Sequence, residues 1–148
     1  MGNSLFELVL TIKNGCMATE AIICDQLGLT ETELLLFLSL DSNEKVMNKE
    51  LCERMGLSPS RSSRIVARLQ KQGYLDVAAI PDNRRSSNIS LTEAGRDIKE
   101  SIDTSIQRCE NQLLSGFSEQ KREGLMNDLR SLAEVITTIH KGTVNEEN

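Results

Sequence analysis

The sequence predicts a mainly α fold carrying one small antiparallel β-hairpin. Three observations support this. Long runs repeat apolar residues every three or four positions. One short helix, Ser58 to Gly73, is punctuated at both ends. Directly after it the period changes to an alternation interrupted by a polar turn, Tyr74 to Leu91.

The short helix organises the chain. Ser58 is a good N-cap, Pro59 suits the first helical position, and Gly73 can take the left-handed conformation that ends a helix. Arg61, Arg64, Arg68 and Lys71 step by three, four and three and share one stripe. Ser62, Ile65, Val66 and Leu69 fall on the opposite, core-facing side. Small hydroxyls (Ser58, Ser60, Ser63) crowd the first turn. Such a helix suits a DNA major groove, because arginine pairs bidentately with guanine edges and serine reaches phosphate or base. A solvated surface helix would show the same stripe.

The remaining elements follow in chain order. Residues 4–13 are apolar on more than one face. Asn14-Gly15 signals a turn or kink, and helix resumes from about Ala18 to Gln26. This arm, residues 1–28, buries itself against a partner subunit or folds back on its own core. Thr30 and Glu33 form a capping box, with Leu29 stapling to Leu34. The run Leu34-Leu35-Leu36-Phe37-Leu38-Ser39-Leu40 is apolar all round and is the central core element. Asn48 is expected to cap a helix from Lys49 to Met55 that ends at Gly56. That helix, the turn Gly56-Leu57-Ser58 and the basic helix make a helix-turn-helix. Tyr74–Ile80 and Asn88–Leu91 are strands, joined by a polar turn from Pro81 to Ser87 that carries Arg84 and Arg85 at or beside its tip. After Thr92-Glu93-Ala94-Gly95 comes a long helix with Ile98, Ile102, Ile106, Cys109 and Leu113 on one stripe. Ser115-Gly116 breaks it. Ser118 caps a last helix with a row of Leu125, Leu129, Leu132, Ile136 and Ile139, suited to helix–helix packing. From Gly142 the chain is polar and acidic, expected to fray, with 143–148 as its tail.

Composition sets limits. The chain has 148 residues, is 26% charged and 39% hydrophobic, and carries a net charge of −5. It has the size of one domain, or of one domain plus an arm. No apolar run approaches the roughly 20 residues of a membrane span, and no secretory signal opens it. Cys16, Cys24, Cys52 and Cys109 lie 8, 28 and 57 residues apart, a spacing that matches no zinc ribbon or Cys-x-x-Cys pattern. Reduced thiols and a cytoplasmic location are expected. His140 is the sole histidine, placed near a helix end where it can complement the dipole. Neither a nucleophile–base set nor a phosphate-cradling loop is present, so no enzyme, metal or cofactor is expected. Between residues 58 and 87 six bases (Arg61, Arg64, Arg68, Lys71, Arg84, Arg85) face two acids (Asp76, Asp82), a local +4, which leaves −9 for the rest. An acidic body with one basic patch steers a polyanion to one face.

The order of elements and their motifs resembles the MarR family of winged-helix transcription regulators. The matching segments are Leu29-Thr30, Asn48-Lys49-Glu50-Leu51, Leu57-Ser58-Pro59-Ser60, Arg68-Leu69-Gln70-Lys71-Gln72-Gly73-Tyr74-Leu75, Pro81-Asp82-Asn83-Arg84-Arg85 and Leu91-Thr92-Glu93-Ala94-Gly95. The resemblance implies a winged helix-turn-helix over 29–95, with 1–28 and 96–142 building a homodimer. It implies double-stranded DNA as partner, bound at a pseudo-palindromic operator through Ser58, Ser60, Arg61, Ser63, Arg64, Arg68, Arg84 and Arg85. It further implies release by a small-molecule or thiol-reactive signal, with Cys16 and Cys24 as candidate redox thiols in the arm. Two positions depart from the family pattern: Asn83 stands where an aspartate is usual, with Asp82 one place early, and Val77 replaces a familiar arginine. The rival reading is a winged-helix protein–protein module, which should display apolar anchors where this chain places arginines.

Overall fold

The computed structural model describes residues 4–144, apart from the side chains of Arg84 and of 140–144. Six helices and three strands are described: α1 (Leu5–Leu27), α2 (Glu31–Leu38), β1 (Val46–Met47), α3 (Asn48–Met55), α4 (Pro59–Lys71), β2 (Leu75–Ile80), β3 (Asn83–Leu91), α5 (Glu93–Leu114) and α6 (Glu119–Val144). They form two compact units, residues 1–106 and 107–148. No helix among the described residues is long and apolar enough to cross a membrane.

The core of the first unit is built around α2. Leu34, Leu36, Phe37 and Leu40 are buried there, together with Leu51 and Met55 of α3, Ile65, Val66 and Leu69 of α4, and Ile102 of α5. The Phe37 and Tyr74 rings meet edge to face at 6.2 Å, a favoured aromatic geometry. Glu33 Oε2 accepts the Thr30 amide and the Thr30 hydroxyl accepts the Glu33 amide, so the Thr30–Glu33 capping box is present as expected.

Four local expectations are corrected. First, α1 is one continuous helix through Asn14-Gly15. A mid-helix glycine costs only about 1 kcal/mol, which a helix of 23 residues can absorb. Second, Asn48 does not cap α3. Met47 occupies that position and makes no side-chain cap, because Val46–Met47 pairs with Ile89 and Asn88 as a third strand unseen in the sequence. Third, the hairpin turn is shorter than Pro81–Ser87. It consists of Pro81 and Asp82, the latter at φ 67°, a conformation aspartate tolerates better than most residues. Fourth, α6 continues to Val144, so Gly142–Val144 is helical rather than frayed. The residues beyond, and the side chain of His140, lie outside the described residues.

The sheet order is β1-β3-β2, all antiparallel. Leu75 pairs with Leu91 and Val77 with Ile89, but Ala79 pairs with Ser87 and Ile80 with Asn83. Across that step β2 advances one residue while β3 advances four. Arg84, Arg85 and Ser86 therefore occupy a bulge on β3 instead of the turn. Bulges re-aim the side chains they carry.

Candidate nucleic-acid interface

Helix α4 forms where its caps require. The Ser58 hydroxyl accepts the Arg61 amide, Pro59 sits in the first turn, and Gln72 closes α4 before Gly73 turns left-handed at φ 84°. Gly56, at φ 64°, ends α3 and lets Leu57 lead directly into α4. The preceding helix is braced by Arg54, which donates to both Glu44 oxygens (2.6 and 3.2 Å), to Glu50 (2.8 Å) and to the Ser39 carbonyl (3.0 Å). Arg54 holds the Glu44 carboxyl below the usual range, and the two carboxylates raise Arg54 in turn.

The outward face of α4 carries Ser60, Arg61, Ser63, Arg64, Ala67, Arg68, Gln70 and Lys71, all exposed, while Ser62, Ile65, Val66 and Leu69 turn inward. Arg61 and Arg64 make no ion pair with a described residue. Arg68 differs: it forms an ion pair with Glu33, its Nε 2.9 Å from Oε1. Ser58 has its hydroxyl committed to the helix cap, which narrows what it can offer a ligand.

An open groove of about 780 Å³ runs between α3, α4 and β3. Ser63 and Gln70 line it from α4, Lys49 and Cys52 from α3, and Arg85, Ser86 and Ser87 from β3. The structure thus brings Ser63 and Arg85, two of the sequence-derived residues, to one groove. The Arg85 amide is held by the Asn83 side chain at 3.3 Å, so Asn83 acts as a bracing acceptor at the position where it departs from the family pattern. The Arg84 side chain lies outside the described residues. Lys49 and Gln70 were missed by the sequence reading. Gln70 sits three positions after Ala67 and seven after Ser63 on α4, so its helical spacing could have flagged it.

The two candidate thiols separate. Cys16 is exposed on α1, whereas Cys24 is buried. Burial pushes the Cys24 thiol up, and Glu31, Glu20 and Glu33 push it the same way. Less thiolate means a less reactive sulfur, so the local chemistry opposes Cys24 as a redox sensor. No group of three or more metal-ligating side chains occurs among the described residues.

Two helices joined by a tight turn, the second capped and basic, followed by a hairpin, define a winged helix-turn-helix. The model of the MarR family matches residues 27–86. The regulator SarZ of Staphylococcus epidermidis is 27% identical over 104 residues, 70% of this chain and 69% of its own length. The transcriptional repressor MprA of Escherichia coli is 27% identical over 107 residues, 71% of this chain and 61% of its own. The crystal structure of NadR in complex with 4-hydroxyphenylacetate shares the fold, with a TM-score of 0.72 at 18% identity over 90% of this chain and 95% of that one. Over residues 27–86 this chain is thus similar to the MarR family, and over about 70% of its length to transcription regulators of that kind.

Proposed function

We propose that the chain acts as a homodimeric, operator-specific repressor whose DNA binding is modulated by a small-molecule or thiol-reactive signal. The observation that carries this reading is that Arg61 and Arg64, with no ion-pair partner among the described residues, stand on an outward α4 face that holds no large apolar side chain. That face suits a polyanion and offers little to a protein partner. Residues 29–95 would contact DNA, with the N-terminal turns of α4 reading bases and Arg84, Arg85 and Lys49 meeting the backbone or the adjacent minor groove.

Exposed apolar rows support a second copy as partner. On α1 they include Leu5, Phe6 at 76% exposure, Leu8 and Ile12, and in the second unit Leu113 at 68%, Phe117, Val135 and Ile139. Rows of this kind in a soluble protein mark interaction surfaces, and residues 1–28 and 96–142 are assigned to dimerisation on that basis. Two-fold symmetry would then set half-sites one helical turn apart, ~10 bp. The repressor role is read from the likeness to MprA, and the small-molecule signal from the fold shared with the NadR complex. With three Phe and one Tyr in the chain, an effector site would be largely aliphatic. Cys16 is the thiol whose exposure fits redox modulation. A cytoplasmic location accords with this role.

Selection of bound duplexes from a random pool, with and without oxidant, tests the reading. An enriched inverted repeat with ~10 bp between half-site centres is the expected result, and a pool that yields no motif would refute it. On the selected duplex, Arg64→Ala should weaken binding by about 1–3 kcal/mol and relax preference at one base step. An unchanged preference would remove Arg64 from base reading.

A further inference from the structure

Arg68 continues the row of Arg61 and Arg64, yet among the described residues it alone of the three is tied to a carboxylate. Glu33, at 3% exposure, is the buried acid among the described residues. Its Oε2 accepts the Thr30 amide at 2.8 Å, and its Oε1 lies 2.9 Å from Arg68 Nε in an ion pair. A buried carboxylate is tolerated when it is paired and hydrogen-bonded, and here the hydrogen bond comes from the start of α2 and the cation from α4. The Arg68 side chain remains 49% exposed, and its two Nη groups have no partner among the described residues. With Nε held at Glu33, a half-exposed guanidinium still has its Nη groups to offer a ligand. Arg68 lies one to two turns beyond Arg61 and Arg64, in the part of a recognition helix that leaves the bases for the backbone.

We propose that Glu33 is a positioning residue for DNA binding, holding Arg68 so that its free Nη groups meet a backbone phosphate. The inference rests on the DNA-binding reading above. A long, rotamer-rich side chain loses freedom when it binds. Glu33 imposes that restriction before DNA arrives and also fixes the direction of the fork. Glu33 touches no DNA itself, so its whole effect on binding passes through Arg68.

The test uses the full-length chain and a duplex selected with the wild type. Affinity is measured across a salt series for the wild type, Arg68→Gln, Glu33→Gln and the double variant, below each melting temperature as fixed by circular dichroism. Arg68→Gln should lower the slope of log affinity against log salt by about one. Glu33→Gln should weaken binding about three- to tenfold with the slope unchanged. The double variant should bind no more weakly than Arg68→Gln alone. Arg68→Lys leaves Glu33 and the net charge in place but removes the fork. It should lose affinity as well, which keeps the proposal testable if Glu33→Gln does not fold. Wild-type affinity in Glu33→Gln or Arg68→Lys, or losses that multiply in the double variant, would overturn the positioning role. A wild type that binds no duplex would instead overturn the DNA-binding reading on which it rests.

Discussion

Replacing Gly95 with alanine should damage the fold at the joint between the hairpin and α5. A Cβ built on Gly95 would lie 2.1 Å from the Tyr74 carbonyl oxygen, 3.1 Å from its carbon and 3.3 Å from Leu91 Cδ2. Real Cβ contacts essentially never fall below 3.0 Å, so the backbones must separate by about 0.9 Å. The Tyr74 peptide cannot give way freely. Its carbonyl accepts the Thr92 amide at 3.1 Å, and its own amide donates to the Leu69 carbonyl at 2.9 Å. Thr92 is held too: its hydroxyl donates to the Gly73 carbonyl at 2.6 Å and accepts the Gly95 amide at 3.0 Å. Overpacking costs about 1–3 kcal/mol and a weakened hydrogen bond about 1 more, so Gly95→Ala should lose about 2–4 kcal/mol. At this chain length that lowers the melting temperature by about 5–10 °C. Thermal and urea denaturation followed by circular dichroism measure it. Gly124→Ala is the control. Nothing lies within 4 Å of a Cβ at that helical position, so alanine should gain up to about 1 kcal/mol from helix propensity. If Gly95→Ala melted within about 1 °C of the wild type, the close-approach argument would be wrong.

Two further outcomes are expected. The ion pair of Glu44 with Arg54 lowers the folded-state pKa of Glu44, so its stabilisation is complete above about pH 5 and is lost as the pH falls through the depressed value. Glu44→Gln should therefore melt lower than the wild type at pH 7, and the gap should close in acid. A gap independent of pH would show that the pair contributes nothing by charge. Alkylation of native protein by iodoacetamide should leave Cys24 unmodified long after an unfolded control has reacted, because the buried thiol is both shielded and pushed up. Mass-spectrometric mapping that found Cys24 labelled as fast as in the control would contradict its burial.

Elements with local chemical punctuation were legible in the sequence. Ser58-Pro59 and Thr30 with Glu33 each mark a helix start through a nearby donor and acceptor, and both caps are present. Reading failed where a distant partner decides. Met47 displaces Asn48 at the start of α3 because β1 pairs with β3, more than 40 residues further on. The bulge that carries Arg84 and Arg85 arises from a register change with β2, which no local pattern encodes. Arg68 looked equivalent to Arg61 and Arg64 by helical spacing, and only the tertiary contact with Glu33 sets it apart. Asn14-Gly15 misled for the opposite reason: a weak local preference was outweighed by the long helix around it.

The way α1 is seated has a mechanical result. From Leu5 to Ala18 every residue except Val9 is exposed, and the helix enters the core only at Ile23 and Cys24. Leu5 stands about 28 Å from that anchorage at 1.5 Å per residue, so a tilt of about 5° there swings the tip by about 2.5 Å. The helix is thus a lever with its fulcrum beside α2. Whatever grips Phe6 feels small repacking at the fulcrum magnified, and by gripping it holds the core end still.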